Sequence, residues 1–539
     1  MPLEELARRL YPPSVPHTIE VPDWRVQDLL QRASQLYPDH DALIFYQARW
    51  NYQQLWSDAQ RFARALQDRG LAVGERVAIM LPNSPQYVIA YFGILLAGGI
   101  VTQINPLLVE RELREILQDS GSRMLLTLDA LLPRAANIRS DTALQVVIGV
   151  SFQGKVAHDN VEDFGAVLAS ALAPSPQEAP TKAGDAAVLQ YTGGTTGRSK
   201  GAILTHRNLV ANVVQLRAFG EYHEGEERIL GVIPLFHVYG MTVVMNLAVY
   251  LGASMILLPR FEVTEVFAAI RDHQVTMWPG VPTMYVALLQ VPSLTQKDVQ
   301  SIRFCNSGSA PMPASLIRQF EERTGAALLE GYGLTETSPV THANPSWGVR
   351  KAGTVGLSVP STEFRIVDAA SGQDVPLGTA GELWIRGPQV MQGYWQNPDE
   401  TAKTLVDGGW LRTGDIASCD EEGYVSIVDR LKDLIIASGY NVYPREVEDV
   451  LYNHPDVLEA VVVGAPDPYR GETVRAVVVP KPNRTLTQED LKEYLAANLA
   501  AYKRPTIIEL RSELPKSAVG KILRRVIRDE PVGKDQQSS

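Results

Sequence analysis

Between Thr192 and Lys200 the chain reads Thr-Gly-Gly-Thr-Thr-Gly-Arg-Ser-Lys, set between an apolar segment and an amphipathic one. Glycines let successive backbone N–H groups converge on an anion, and hydroxyls with an ammonium complete the cradle. Thr192, Gly193, Gly194, Thr195, Thr196, Gly197 and Lys200 are therefore candidates for holding a polyphosphate, which points to a nucleoside triphosphate. A Walker A loop needs Gly-Lys-Ser/Thr, whereas Gly201 follows Lys200 here, so the expectation moves away from P-loop NTPases.

Three further clusters could act on such a ligand. Gly331-Tyr-Gly-Leu-Thr-Glu-Thr-Ser-Pro339 is a tight turn that could set Thr335 on a phosphate, Glu336 on Mg²⁺ and Tyr332 against an adenine. Gly409-Trp-Leu-Arg-Thr-Gly-Asp415 puts a carboxylate after a glycine turn, suited to both hydroxyls of a ribose. Pro515-Lys-Ser-Ala-Val-Gly-Lys521 presents a lysine on a turn. A lysine that reaches a phosphoryl centre stabilises developing charge by roughly a few kcal/mol. Taken singly, each has a plainer reading: a solvated turn, a turn-capping Asp and a basic surface.

The surrounding elements must position these groups. Helical spacing over 52–69 is followed by a turn and strand at 74–81, a helix at 85–97 and a strand at 99–104. Such alternation predicts mainly parallel sheets covered by helices. Residues 208–219 read as a helix directly after the glycine loop, which would aim a helix N-terminus at the phosphates. From 354 to 385 the texture is β-rich. Beyond 429–435, helices at 446–453 and 487–499 and strands at 457–463 and 473–480 make a small α+β unit of about a hundred residues.

Two uncharged runs, 77–109 and 229–259, exceed the ~20 residues of a membrane-spanning helix. Pro82, Pro85, Gly98, Gly99, Pro234, Gly240 and Gly252 divide them into buried strand and helix instead. With 539 residues the chain can bury several cores. Its net charge of −11 argues against nucleic acid as a partner. Two cysteines, Cys305 and Cys419, make neither a disulfide framework nor a zinc site. With an acidic, non-apolar start, this predicts a cytoplasmic location.

In this order and at these separations the motifs resemble the adenylate-forming superfamily of acyl-CoA synthetases, luciferases and adenylation domains. The resemblance runs from about residue 37 to 525 and includes Asp429-Arg-Leu-Lys-Asp433. It implies a large α/β part, residues 1–431, of parallel-rich sheets covered by helices with a β-rich, barrel-like subdomain. A small mobile α+β part, residues 432–539, would turn about a hinge at Lys432. The loop from Thr192 to Lys200 would hold the β,γ-phosphates and Glu336 the Mg²⁺. Ser309, Ala310, Pro311 and Tyr332 would flank the adenine, and Asp415 and Arg430 would take the ribose. Lys521, Thr335, Glu336 and His237 would be the catalytic set. Lys521 would bridge the substrate carboxylate and the α-phosphate. Ser438, Gly439 and Tyr440 would line a tunnel for coenzyme A.

The acid is addressed by Pro234-Leu-Phe-His-Val-Tyr-Gly240. Amino-acid-activating relatives carry an Asp where His237 stands, so an α-amine would meet no counter-charge. Gln190–Gly197, Phe304–Pro313 and Met277–Met284 look most like bacterial fatty-acyl-CoA ligases. Two departures from the usual loop are Gly193 for a frequent Ser and Ser199 for a frequent Pro. His237, Tyr239, Met241, Gly308, Gly333 and Val340 would form the acyl pocket. Val243, Met245, Met277 and Trp278 are further candidates for an apolar tunnel, although core packing is their simpler reading. The expected reaction joins a fatty acid to coenzyme A through an acyl-adenylate. An aromatic-acid, coumarate-like ligase and a ligase that loads a carrier protein share the same motifs. A homodimer and peripheral membrane contact are both compatible with the resemblance.

Overall fold

The computed structural model describes residues 2–192, 199–437, 440–467, 471–518 and 520–531. The β–α alternation folds as its patterning requires. The strand Arg76–Met80 leads to the helix Pro85–Leu96, started by proline in its first turn and by the Ser84 hydroxyl, which accepts from the Tyr87 amide. That helix is apolar on nearly every side and is buried accordingly. The chain then returns as Ile100–Gln103, parallel to Arg76–Met80.

Repetition of this unit gives an eight-stranded sheet. Its order is Gly393–Tyr394, Lys200–Thr205, Ala186–Thr192, Ile100–Gln103, Arg76–Met80, Met124–Leu128, Val146–Val150 and Glu162–Asp163. A second, nine-stranded sheet has parallel strands from Ala327–Gly333 through Phe304–Ser307, Met277–Gly280, Arg228–Gly231 and Ser254–Leu257 to Asp41–Phe45. One contiguous apolar core joins the two sheets through residues such as Phe62, Tyr91, Met241 and Trp278. A third, antiparallel sheet contains Glu363–Val367, Gly381–Arg386, Trp410–Cys419 and Val425–Arg430, and forms the β-rich subdomain.

The last hundred residues build a separate antiparallel hairpin, Val457–Asp467 with Gly471–Pro480. Successive strand residues point to opposite faces. Accordingly Ala460, Val462, Ala476 and Val478 pack on one side, while Val461, Val463, Val477 and Val479 pack on the other. Valine on both faces of the hairpin is what a two-sided core demands.

One expectation is overturned. The helix His206–Phe219 does not follow the glycine loop directly, because Lys200–Thr205 is a strand that pairs antiparallel with Ala186–Thr192. Thr192 and Lys200, which bracket the glycine loop, are therefore cross-strand partners, and the helix begins at the opposite end, beside Ala186↔Thr205. Four of the six residues in Lys-Gly-Ala-Ile-Leu-Thr are buried, as suits a strand with a neighbour on each side, and Thr205 with Asn208 forms the capping box that starts the helix. The run 229–259 breaks up as expected, except that Gly240–Asn246 is π-helical. No helix among the described residues is long and apolar enough to cross a membrane.

Candidate active site

The sequence clusters converge on one cavity of about 770 Å³. Its nucleoside end is built by strand pairing. Asp415 and Arg430 are cross-strand partners, with Arg430 Nε 3.3 Å from Asp415 Oδ1. The Tyr332 hydroxyl donates to Asp415 Oδ2 at 2.6 Å. Asp415 is 4% exposed, so two donors hold a nearly desolvated carboxylate in one orientation. Ser309, Ala310 and Pro311 line a neighbouring cavity of about 500 Å³ together with Tyr332. Gly333 is a steric requirement here, because a Cβ would stand 2.0 Å from the Pro339 carbonyl oxygen.

At the phosphate end stand Thr192, Lys200, Thr335 and Glu336. Residues 193–197 of the glycine loop lie outside the described residues. The Thr335–Glu336 turn is closed by Thr337, whose hydroxyl accepts from the Leu334 amide at 3.0 Å. Glu336 Oε1 accepts from the Tyr394 hydroxyl at 2.7 Å. The Lys200 ammonium forms an ion pair with Glu400 and lies 5.5 Å from the Tyr394 ring centroid.

Lys521 reaches the same cavity from the other side. It ends a turn in which the Ser517 amide donates to the Lys521 carbonyl at 2.8 Å. The preceding residue, Gly520, has φ of +73°, and a Cβ there would meet Thr283 Oγ1 at 2.5 Å. Only glycine allows this close approach, which brings Lys521 in. Arg524 fastens the segment: its guanidinium lies 3.1 Å from Asp429 Oδ1 and pairs with Glu448. Burial, then the Arg430 charge, pulls the Lys521 ammonium down to about 7.

His237 lines the cavity, and its Nδ1 accepts from the Tyr239 amide at 3.2 Å. In that arrangement a neutral ring carries its proton on Nε2. Burial, then the Lys521 charge, holds His237 down to about 4, so the ring is neutral around pH 7. Tyr239, Val243, Val340, Gly308 and Gly333 line the cavity with Leu216 and Tyr222. Met241 sits apart: like Met245, Met277 and Trp278 it is fully buried in the core and is absent from the cavity wall. Lys432 lines both cavities on the short helical turn Leu431–Asp433. Tyr440 is exposed and packs on Tyr502 with centroids 4.9 Å apart, while Ser438 and Gly439 lie outside the described residues.

Three groups at this site escaped the sequence reading. Tyr394 and Glu400 belong to a stretch that reads as a loop and a short polar helix; the Asn397-Pro398 start was its only signal. Glu330 is 2% exposed on Ala327–Gly333, with Arg445 3.9 Å away and Oε2 unpartnered. Burial raises its carboxyl to about 7, against the opposing Arg445 charge.

The model of the AMP-binding enzyme family matches residues 30–395, and that of the AMP-binding enzyme C-terminal domain matches 446–521. The chain belongs to the AMP-binding enzyme family. Among AMP-binding enzymes it is 44% identical to a long-chain-fatty-acid–CoA ligase of Bacillus subtilis (strain 168), over 96% of this chain and 97% of that one. A long-chain-fatty-acid–CoA ligase of Escherichia coli O6:H1 is 39% identical over 97% and 98% of the two chains. The crystal structure of ATP-bound MatB from Rhodopseudomonas palustris superposes with a TM-score of 0.87 at 32% identity, covering 94% of this chain and 98% of that one.

Proposed function

We propose that this chain is an AMP-forming acyl-CoA synthetase that activates a fatty acid with ATP and transfers the acyl group to coenzyme A. The observation that carries the reading is the convergence of Asp415, Glu336, Lys200, His237 and Lys521 on one cavity with an apolar flank. Asp415 would take the ribose hydroxyls, with Tyr332 and Arg430 fixing the carboxylate. Glu336 supplies a single hard carboxylate at the phosphate end, a donor suited to Mg²⁺ that takes its other ligands from phosphate and water. Such an ion would neutralise charge on the phosphates.

Activation needs no protein nucleophile. The substrate carboxylate oxygen attacks the α-phosphorus, the bond to the bridging oxygen breaks, and pyrophosphate leaves. Positioning and charge stabilisation carry such a step. Lys521, whose ammonium form the substrate carboxylate and the α-phosphate would favour, would hold the two together. Neutral His237, beside the apolar flank, would spare the acyl carboxylate a fixed charge. For the second step a thiolate attacks the acyl carbonyl and AMP departs, and rotation about Lys432 would withdraw Lys521 so that the thiol can enter.

The test is product analysis with ATP, Mg²⁺ and a mixture of octanoate, palmitate and coumarate, offered either coenzyme A or a holo carrier protein. Fatty acyl-CoA with stoichiometric AMP and pyrophosphate is expected. Coumaroyl-CoA as main product, or acylation of the carrier alone, would replace this reading.

A further inference from the structure

The phosphate end of the cavity holds a charge that does not belong to phosphate binding. Glu400 stands in the first turn of the helix Pro398–Thr404, where its amide donates to Asn397 Oδ1 at 3.2 Å. Its carboxylate pairs with Lys200 and lies 3.7 Å from Lys403 Nζ. Glu400, Lys403, Lys200 and Glu336 all line the same cavity. The hydrogen bond from Lys200 is the main reason that the Glu400 carboxyl is held below its ordinary range.

Backbone pairing sets the placement on both sides. Gly393–Tyr394, just before the helix, pairs with Ile203 and Ala202 of the strand that begins at Lys200. The Trp395 amide donates to the Gly201 carbonyl at 2.8 Å. Tyr394 lies between the two carboxylates' territories, with its hydroxyl on Glu336 and its ring near the Lys200 ammonium. Lys200 is thus paired with a carboxylate of this chain on the cavity wall.

We propose that Glu400 is a positioning residue that competes with phosphate oxygens for Lys200 and so limits how tightly the site retains pyrophosphate. This inference rests on the reading of Lys200 as a phosphate-binding residue. An ammonium has three donors, and a carboxylate that takes one of them lowers the net positive charge offered to the ligand. When the phosphates bind, the Lys200–Glu400 pair must loosen. When pyrophosphate departs, the pair re-forms, which makes departure easier. A site with Lys200 and Lys403 but no opposing Glu400 charge would hold a multiply charged product longer.

The test is calorimetric binding of magnesium pyrophosphate to the full-length protein, wild type against Glu400→Gln, Glu400→Asp and Lys200→Met. Glu400→Gln should tighten pyrophosphate binding about five- to tenfold and lower the KM for ATP in parallel, the effect expected for removing one partly buried opposing charge. Glu400→Asp, which keeps the charge, should stay near wild type. In a Lys200→Met background, Glu400→Gln should change pyrophosphate binding less than twofold. Pyrophosphate binding by Glu400→Gln that is unchanged or weaker than wild type, at equal Tm, would overturn the proposal. So would the same tightening in the Lys200→Met background. If wild type binds no pyrophosphate, the phosphate-binding reading of Lys200 falls as well; if wild type binds it and only Glu400→Gln has no effect, this inference alone falls.

Discussion

Two parts of the cavity wall are assembled by different means. At the nucleoside end, Asp415 and Arg430 sit on paired strands and Tyr332 on a strand of another sheet, and they restrain each other through contacts of 2.6 and 3.3 Å. Lys521, by contrast, arrives beside them on a turn of the small C-terminal unit, held by Arg524 on Asp429 and Glu448 and by the fit of Gly520 to Thr283. Backbone pairing cannot be released without unfolding a sheet, whereas ion pairs and a glycine contact can be exchanged. Such a division between a recognition half on paired strands and a chemical half held by ion pairs is the one that the proposed two-step reaction around one bound nucleotide would use.

The strongest way to break the comparison is Lys521→Ala. Acyl-adenylate formation should fall about 10²–10³-fold, the scale of losing one preorganised donor, while ATP affinity stays within about threefold. Stopped pyrophosphate-release assays and calorimetry separate the two. A matching loss of nucleotide affinity would show that the lysine belongs to the recognition half.

Asp415→Ala should do the reverse. The KM for ATP should rise roughly tenfold or more, since hydrogen bonds to a charged group contribute ~1.5–3 kcal/mol. Discrimination between ATP and 2′-deoxy-ATP should also shrink. Equal losses on both nucleotides would remove the ribose assignment.

Arg524→Gln tests whether the lysine end is fastened from outside. Adenylation should drop about tenfold, while thioester formation from supplied acyl-adenylate stays within twofold. The Tm should also fall, because Asp429 and Glu448 lose their buried counter-charge. Equal loss in both half-reactions would make Arg524 a residue of general stability.

The seam between the halves gives the smallest effect on turnover. Glu330 faces Arg445 and Asp449 of the C-terminal unit and accepts from the Met312 amide. Its carboxyl is raised from 4.5 to about 7 in the folded chain, so between those values the folded state keeps a proton that the unfolded state has released. Stability should therefore decline as pH rises from about 4.5 to 7 and level off above. Glu330→Gln should flatten that decline, read as Tm against pH, with turnover at pH 7.5 within twofold. An unchanged slope would remove Glu330 as its source.

Tyr332 and Asp415 were legible because each stands beside glycine in a short motif whose chemistry is written in consecutive residues. The β–α alternation before residue 104 was equally plain, since its apolar period and its Pro and Gly breaks agree. Three things were not. In sequence the strand Lys200–Thr205 reads as part of a loop running into a helix, because six residues without strict alternation carry little periodic signal. The crossover that takes Asp41–Phe45 into the second sheet depends on packing between distant segments. Tyr394 meets Glu336 and Glu400 meets Lys200 across 58 and 200 residues of chain, and Glu330 meets Arg445 of the C-terminal unit, pairings that no local pattern announces.

The short strand Gly393–Tyr394 has a consequence for how the protein is made. It covers the outer edge of Lys200–Thr205, whose other neighbour among the described strands is Ala186–Thr192. The covering residues leave the ribosome roughly 190 positions after the edge they protect, which at 5–20 residues per second is on the order of 10–40 seconds. During that interval the nascent chain exposes an unpaired strand edge, the kind of surface on which chains associate wrongly. Chaperone demand during synthesis should therefore be concentrated in the window before Tyr394 emerges.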